Sequence, residues 1–297
     1  MTNTIAHSRS ASRSFSKIAD YVQLVKLRLT LMVVFSAGVG FVIASGASIN
    51  WFQLVIVLIS GFLITGSANG INQIIEKNLD VLMSRTNNRP VAQRRISSLE
   101  AGVVVILMGI VGSVLLGYYV NGISAWIGAV SLIVYAFVYT PLKRVSNLSV
   151  IAGSFAGAAP PVIGYAAVTG AIDELCILVF LIQFIWQFPH FWAVAWILDD
   201  DYKKAGFFLL PSKMGRDKRS AKYIIAVTIS LILVGIYLIL MNYVGWISGV
   251  LILILTLNFL YQSIRLYKTM DLKEARKLMF GSFYYLPLVQ ILLVTGN

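Results

Sequence analysis

Charge is scarce in this chain. Of its 297 residues, 12% are charged and 58% are hydrophobic, whereas soluble domains carry roughly 25% charged residues. That deficit excludes an ordinary water-facing globule and leaves a polytopic membrane protein. Cysteine is almost absent: Cys176 stands alone, so there is neither a disulfide framework nor a thiolate metal cage. Histidine is nearly as rare, with only His7 and His190. No linker is long enough to separate domains. Residues 27–297 therefore read as one transmembrane domain behind a cytoplasmic tail, 1–26. The tail contains "HSRSASRSFSK", Ser- and Arg-rich and poor in acids, which weakly resembles a transit peptide. It lacks a short apolar region with a small-residue cleavage site, which excludes a secretory signal.

What is present in abundance is apolar sequence. Runs of about 17–25 residues, the length that crosses a bilayer as a helix, occur nine times. They lie near 27–45, 51–75, 101–120, 123–141, 148–168, 175–197, 223–242, 245–264 and 278–295. A soluble helix would carry a polar stripe with a period of about 3.6 residues. These runs are apolar nearly all round, so the expected fold is all-α, nine transmembrane helices.

The basic residues are distributed one-sidedly. All 24 Lys and Arg fall before or at the very start of the first run, where Arg28 is its second residue, or after the second, fourth, sixth and eighth. The connections on the other side contain none. By the positive-inside rule this places the N-terminus in the cytoplasm and, with nine spans, the C-terminus outside a plasma (inner) membrane. The net charge of +12 is then an orienting charge against anionic lipid, and nucleic-acid binding is not implied.

Two of the basic connections also carry acids. The second run continues into "NQIIEKNLDVLMSRTNNRP", Asn72 to Pro90. On a helix each residue turns by about 100°, so Asn72, Glu76 and Asp80 share a face. Carboxylates this close resist ionisation unless a cation sits between them. Hard oxygen ligands favour magnesium or calcium, and magnesium is commonly held by one or two carboxylates plus substrate phosphates. Arg85 and Arg89 follow, with forks that suit phosphate oxygens. The sixth run ends in Asp199, Asp200 and Asp201, then Lys203 and Lys204. Tyr139, Lys143 and Arg144, in "YTPLKR", sit at the same level. Acids trailed by cations at two equivalent span ends point to magnesium ions gripping one diphosphate from two sides. A frayed, solvated helix end is the plainer alternative for either cluster taken alone.

Such a site implies a leaving group. Metals on a diphosphate neutralise the charge that develops as it departs. If the other half is an allylic prenyl chain, aromatic faces stabilise the carbocation and apolar walls keep water away. Trp186, Phe188, Phe191 and Trp192 near the second acidic cluster, and Tyr135 and Tyr139 near the fourth span's end, are the aromatic candidates. Aromatic belts at membrane interfaces are common, so no single ring is decisive. His190 is a mid-span histidine, a rare position that is usually functional or internally paired. Pro189 before it is expected to kink the sixth span and shape a central cavity.

Three stretches carry a family resemblance: Asn72-x3-Glu76-x3-Asp80 with "MSRTNNRP", then "YTPLKR", then "WQFPHFW…DDDYKKAG…LLP". The chain resembles the intramembrane prenyltransferases of the UbiA superfamily over about residues 20–295, and within them the branch that acts on haem. Glu76 stands where the superfamily usually has Asp. The resemblance implies helices around a central cavity opening to the cytoplasmic side. It implies that farnesyl diphosphate alkylates a vinyl group of haem b, with water added and haem O and diphosphate released. It implies that Asn72, Glu76, Asp80 and Asp201, with Asp199 a further metal candidate, hold Mg2+ and diphosphate. Arg85, Arg89, Lys143 and Lys204 would neutralise the phosphate oxygens, with Tyr139 and Arg144 beside them. His190 would serve the haem side, by ligating iron or guiding the vinyl group, unless it only bonds a neighbouring helix. Membrane lipid, and haem A synthase or terminal-oxidase assembly, are the implied partners.

Two other readings compete. A quinone-type aromatic prenyltransferase would share the acids but use another acceptor. A transporter would explain intramembrane acids and Gly/Pro-interrupted spans such as Ala152 to Ala167, yet the acids cluster at one interface and not at the midplane. Topology is testable by itself. A reporter active only in an oxidising exterior should be active when fused after Asn297 and silent within Ser212 to Ser220. The opposite pattern overturns the orientation.

Overall fold

The computed structural model of the protein describes residues 17–296. Among them are nine helices long and apolar enough to cross a membrane: α1 (Leu27–Ser45), α2 (Trp51–Asp80), α3 (Ser98–Tyr119), α4 (Gly122–Leu142), α5 (Ser149–Thr169), α6 (Glu174–Lys204), α7 (Lys218–Leu240), α8 (Trp246–Thr269) and α9 (Leu272–Thr295). In hydrocarbon every backbone group must be satisfied within its own segment, which is why apolar runs of this length become helices. Their starts are marked by side chains that accept orphan N–H groups: Asn50, Ser97, Asn121, Asp173, Asp217 and Asp271.

Two helices outrun their apolar segments. α2 extends to Asp80 and α6 to Lys204, so both acidic clusters ride on rigid helix ends. The helical assignment of α6 continues through Pro189. In α4 the regular helix gives way to a π-helical turn over Val134–Tyr139 before closing at Thr140–Leu142. That wider turn carries both Tyr135 and Tyr139. π-turns of this kind concentrate at functional sites.

The helices form a ring, with α2 packing on α1, α3 and α4, and α5 on α1, α4 and α6. α6 to α9 form the larger apolar core, which includes Trp196, Phe259 and Leu278. The ring closes where α9 meets α1. α1 and α5 cross at backbone distance. A Cβ on Gly40 would lie 2.0 Å from the Pro161 carbonyl oxygen, and one on Gly164 would lie 1.8 Å from the Ala37 carbonyl oxygen. Small residues at such crossings are how helices associate in lipid, where no hydrophobic force distinguishes protein from tail.

The last part of the expected tail, 1–26, has structure of its own. Residues 1–16 lie outside the described residues. Residues 17–24 form a short helix docked on the α2–α3 connection, with Leu24 buried among Val91, Ile96, Ala101 and Val105. Asp20 accepts from Arg95 and Tyr21 donates to Glu100. The Gln73 amide of α2 donates to the carbonyl oxygens of Gln23 and Leu24, closing the helix's C-terminal end. The available signal was the run of apolar residues Ile18, Tyr21, Val22, Leu24 and Val25 at the tail's end.

The α1–α5 crossing generates a stability contrast. Gly164→Ala should destabilise the purified protein in detergent by the upper end of the overpacking range, about 1–3 kcal/mol, seen as a lower thermal midpoint. Gly102→Ala, where a Cβ meets nothing within 4 Å, should be neutral or stabilising by up to about 1 kcal/mol. Equal melting of both variants would refute the close crossing.

Candidate active site

The expected face on α2 exists. Asn72, Glu76 and Asp80 are 2%, 3% and 0% exposed, so the solvated-end alternative fails for this cluster. Each polar group is held by a cation. Arg89 Nη1 contacts both Asp80 oxygens, at 2.7 and 2.9 Å, and lies 3.9 Å from Glu76 Oε2. Lys143 pairs with Glu76 Oε1, and its ammonium lies 4.7 Å from the Tyr139 ring centroid and 5.3 Å from that of Phe207. Asn72 is oriented at both ends: its amide nitrogen donates to Thr140 Oγ1 at 3.2 Å, and its oxygen accepts from Lys26 Nζ at 3.2 Å. Thr140 Oγ1 in turn donates to the Tyr135 carbonyl oxygen, which also accepts the Thr140 backbone N–H of the π-turn. Two carboxylates thus face several cations, and the excess positive charge suits an anion.

Lys26 was read only as a topology cation, and the structure gives it a site. Its backbone is left-handed, φ 48° and ψ 58°, a conformation costing a residue with a Cβ roughly 1–2 kcal/mol. The bend separates the short helix from α1 and delivers the ammonium to Asn72. Loss of water, then repulsion from Arg89 and Lys143, lowers its pKa well below the ordinary lysine value. The sequence signal was a lysine wedged between Val25 and Leu27 instead of lying in a polar loop.

The second acidic cluster meets the first, though differently from expectation. Asp201 caps the α2–α3 connection, accepting from the Ser84 amide and hydroxyl at 3.0 Å and from the Arg85 amide at 3.3 Å. It also pairs with Lys204 at 3.0 Å. Asp199 pairs with Lys203, and the exposed Asp200 with Arg216. Among the described residues, no group of three acids, histidines or cysteines is gathered as a closed metal cage. Asp201 thereby ties the end of α6 to the α2–α3 connection. Arg85 donates to Tyr202 Oη at 3.2 Å and lies over that ring. Arg144 is exposed and makes no ion pair among the described residues.

Directly below lies an apolar cavity of about 490 Å³. Tyr139, under the Lys143 ammonium, and Asn69, one turn from Asn72 on α2, are among its lining residues. Tyr135, Trp186, His190 and Phe191 line it, whereas Phe188 and Trp192 do not. Those two pack on each other at 5.4 Å, and Trp192 belongs to the core. Leu29, Met32 and Phe35 line the cavity while being exposed, so it also reaches the lipid-facing surface along α1. Gln183, Gln187 and Gln290 bond one another or nearby backbone across α5, α6 and α9.

A polar cradle over a hydrocarbon cavity inside nine helices is an architecture with relatives. The UbiA prenyltransferase family model matches residues 33–286. The chain belongs to the UbiA prenyltransferase family. It is a prenyltransferase, which sets the transporter reading aside. The protoheme IX farnesyltransferase of Cytophaga hutchinsonii is 45% identical over 279 residues, covering 94% of this chain and 98% of that protein. That of Christiangramia forsetii is 41% identical over 299 residues, covering 99% and 97%. Among solved structures, a digeranylgeranylglyceryl phosphate synthase superposes with a TM-score of 0.79 at 18% identity, covering 95% of this chain and 98% of that one. A UbiA homolog from Archaeoglobus fulgidus, bound to GPP and Mg2+, has a TM-score of 0.72 at 16% identity, covering 93% and 99%.

The Lys26 contact makes a prediction about protons. An anion beside Lys26 raises a depressed pKa, so binding takes up protons and weakens as pH rises. Calorimetry with inorganic diphosphate in two buffers of different ionisation heat should show that uptake in the wild type and its loss in Lys26→Met. Affinity in the variant should fall about 10-fold or more, the scale of a charge-assisted hydrogen bond. Unchanged uptake and affinity would remove Lys26 from the anion site.

Proposed function

We propose that this chain transfers the farnesyl group of farnesyl diphosphate to a vinyl group of haem b, giving haem O and diphosphate. One observation supports the reaction class above all: the cation-balanced acids of α2 sit directly over an apolar, aromatic-lined cavity. A charged head and a hydrocarbon tail have adjoining compartments, and Tyr139 touches both. The acceptor is supported by the curated relatives and by the "WQFPHFW" resemblance.

The donor set fits magnesium. The Asn72 oxygen, Glu76 and Asp80 are hard, buried oxygens one turn apart, and each is balanced by a side-chain cation that can swing to phosphate oxygens. Asn72, Glu76 and Asp80 would hold the metal, which when bound supplies neutralisation of the charge developing on the leaving diphosphate. Arg89, Lys143, Lys26 and Arg85 bind the phosphate oxygens. The bond between C1 of the farnesyl chain and the diphosphate oxygen breaks. The Tyr135, Tyr139 and Trp186 faces stabilise the allylic cation, and the apolar walls delay its capture by water. The terminal vinyl carbon of haem then bonds C1, and water adds to the resulting porphyrin-side cation and loses a proton. Farnesyl diphosphate enters along the exposed side of α1, from lipid.

The one-sided basic residues support a cytoplasmic acidic end in a plasma membrane, with the C-terminus outside. Haem A synthase or terminal-oxidase assembly follows from the resemblance as the product's recipient.

The decisive variant is Asp80→Asn, which keeps shape and removes one charge. The deficit belongs mainly to the transition state, where leaving-group charge develops. Turnover per folded molecule should fall about 10²–10³-fold, the scale of one preorganised electrostatic contact. Because Asp80 is buried against Arg89, the variant should also lose stability, so rates are normalised to folded protein. The measurement is diphosphate release from farnesyl diphosphate with haem b across a magnesium titration, with mass spectrometry of the haem product. A chelator should stop release in the wild type. Equal rates for both proteins would sink the metal–diphosphate reading. Release with an aromatic acceptor but not with haem would move the chain to the quinone-type reaction.

A further inference from the structure

His190 is one of two histidines in the chain, and it lines the cavity. Its Nδ1 lies 2.7 Å from Ser282 Oγ on α9. Ser282 Oγ in turn lies 2.5 Å from the Met279 carbonyl oxygen. A carbonyl has no proton to give, and two oxygens this close need one between them, so the single hydroxyl proton of Ser282 points at Met279. Ser282 therefore accepts from the ring, and Nδ1 carries the ring proton. Nε2 keeps a bare lone pair and makes no hydrogen bond among the described residues.

The ring plane is held as firmly as its tautomer. Trp186 stacks on it at 4.9 Å with 11° between the planes, and Phe283 meets it edge-on at 5.0 Å. Trp186 Nε1 donates to the Ser282 carbonyl oxygen at 2.9 Å, so one residue of α9 grips both stacked rings. A fixed imidazole with a free Nε2 in a mostly hydrocarbon cavity is arranged for a ligand that accepts a lone pair. Imidazole suits iron, and a metal-bound histidine characteristically donates its other N–H to a supporting acceptor.

We propose that Ser282 is a positioning residue that holds His190 in the Nδ1–H tautomer, so that Nε2 binds the iron of an iron porphyrin in the cavity. This rests on the haem-farnesylating reading above and adds how the acceptor is placed. With iron anchored on α6, the macrocycle can turn only about the iron–nitrogen axis, which limits where its vinyl groups can meet the prenyl chain.

The test uses the full chain in nanodiscs with 15N-labelled histidine. Without haem, 15N spectra should show Nδ1 protonated in the wild type and in Ser282→Thr, which keeps the hydroxyl. Ser282→Ala should shift the ring toward the Nε2–H tautomer that free imidazole favours. On titration with ferric haem b, pulsed EPR should detect 15N coupling to iron in the wild type, Ser282→Thr and His7→Ala, and none in His190→Ala. Haem affinity should fall about 10-fold in Ser282→Ala, as for loss of a partner supporting a metal ligand, with farnesyl diphosphate affinity unchanged. Wild-type coupling and affinity in Ser282→Ala, or no coupling in the wild type, would overturn the proposal. A chain that farnesylates haem without such coupling leaves the reaction standing and rejects the ligand. A chain that neither binds haem nor transfers farnesyl rejects both.

Discussion

Two buried carboxylates one helical turn apart cannot both stay ionised without compensating positive charge. That constraint organises the acidic end of the molecule. Glu76 and Asp80 draw Arg89 back from the α2–α3 connection and Lys143 down from the end of α4. Asn72 draws Lys26 in from the start of α1. Three separate parts of the chain are thereby pinned to one face of α2. Breaking one partner of such a set leaves an uncompensated buried charge, which is far costlier than losing a surface pair. The ion pairs therefore hold a site that is poised to exchange its internal partners for an external anion and metal.

The apolar half of the site depends on different physics. The cavity exists because the ring of helices is held apart by its own packing. α1 and α5 meet at backbone distance, and the glutamines of α6 and α9 satisfy one another and the backbone carbonyls of α5 inside the membrane. A buried amide network of this kind is stable only when its members are paired, and paired it specifies one arrangement of helices. The π-turn in α4 adds a local distortion at the boundary between the two halves. Its Tyr135 carbonyl oxygen accepts both the backbone N–H and the hydroxyl of Thr140, which orients Asn72 above while Tyr135 and Tyr139 line the space below.

Where sequence and structure part company, the cause is three-dimensional neighbourhood. From the sequence, Asp201 is only an acid at a span end beside two others. In the structure its oxygens also cap Ser84 and Arg85, more than a hundred residues away in the chain. Trp192 and Phe188 share a short aromatic stretch with Trp186 and Phe191, yet a helix turns adjacent residues to different faces. Only the second pair faces the cavity. Lys26 was hidden for the opposite reason: the positive-inside rule already explained a lysine there, so nothing in the sequence asked for a second role.

By itself the sequence determined the nine spans, their one-sided charge, and the common face of Asn72, Glu76 and Asp80. Each of these follows from composition or from a fixed helical period and needs no knowledge of neighbours. It also carried the family, because "MSRTNNRP", "YTPLKR" and "WQFPHFW" are contiguous. Only the tertiary structure decided which cation serves which acid, which aromatic rings face the cavity, and which nitrogen of His190 carries its proton. These depend on contacts between residues such as Glu76 and Lys143, or His190 and Ser282, that are distant in the chain. Period and composition contain no information about such distances until the helices pack.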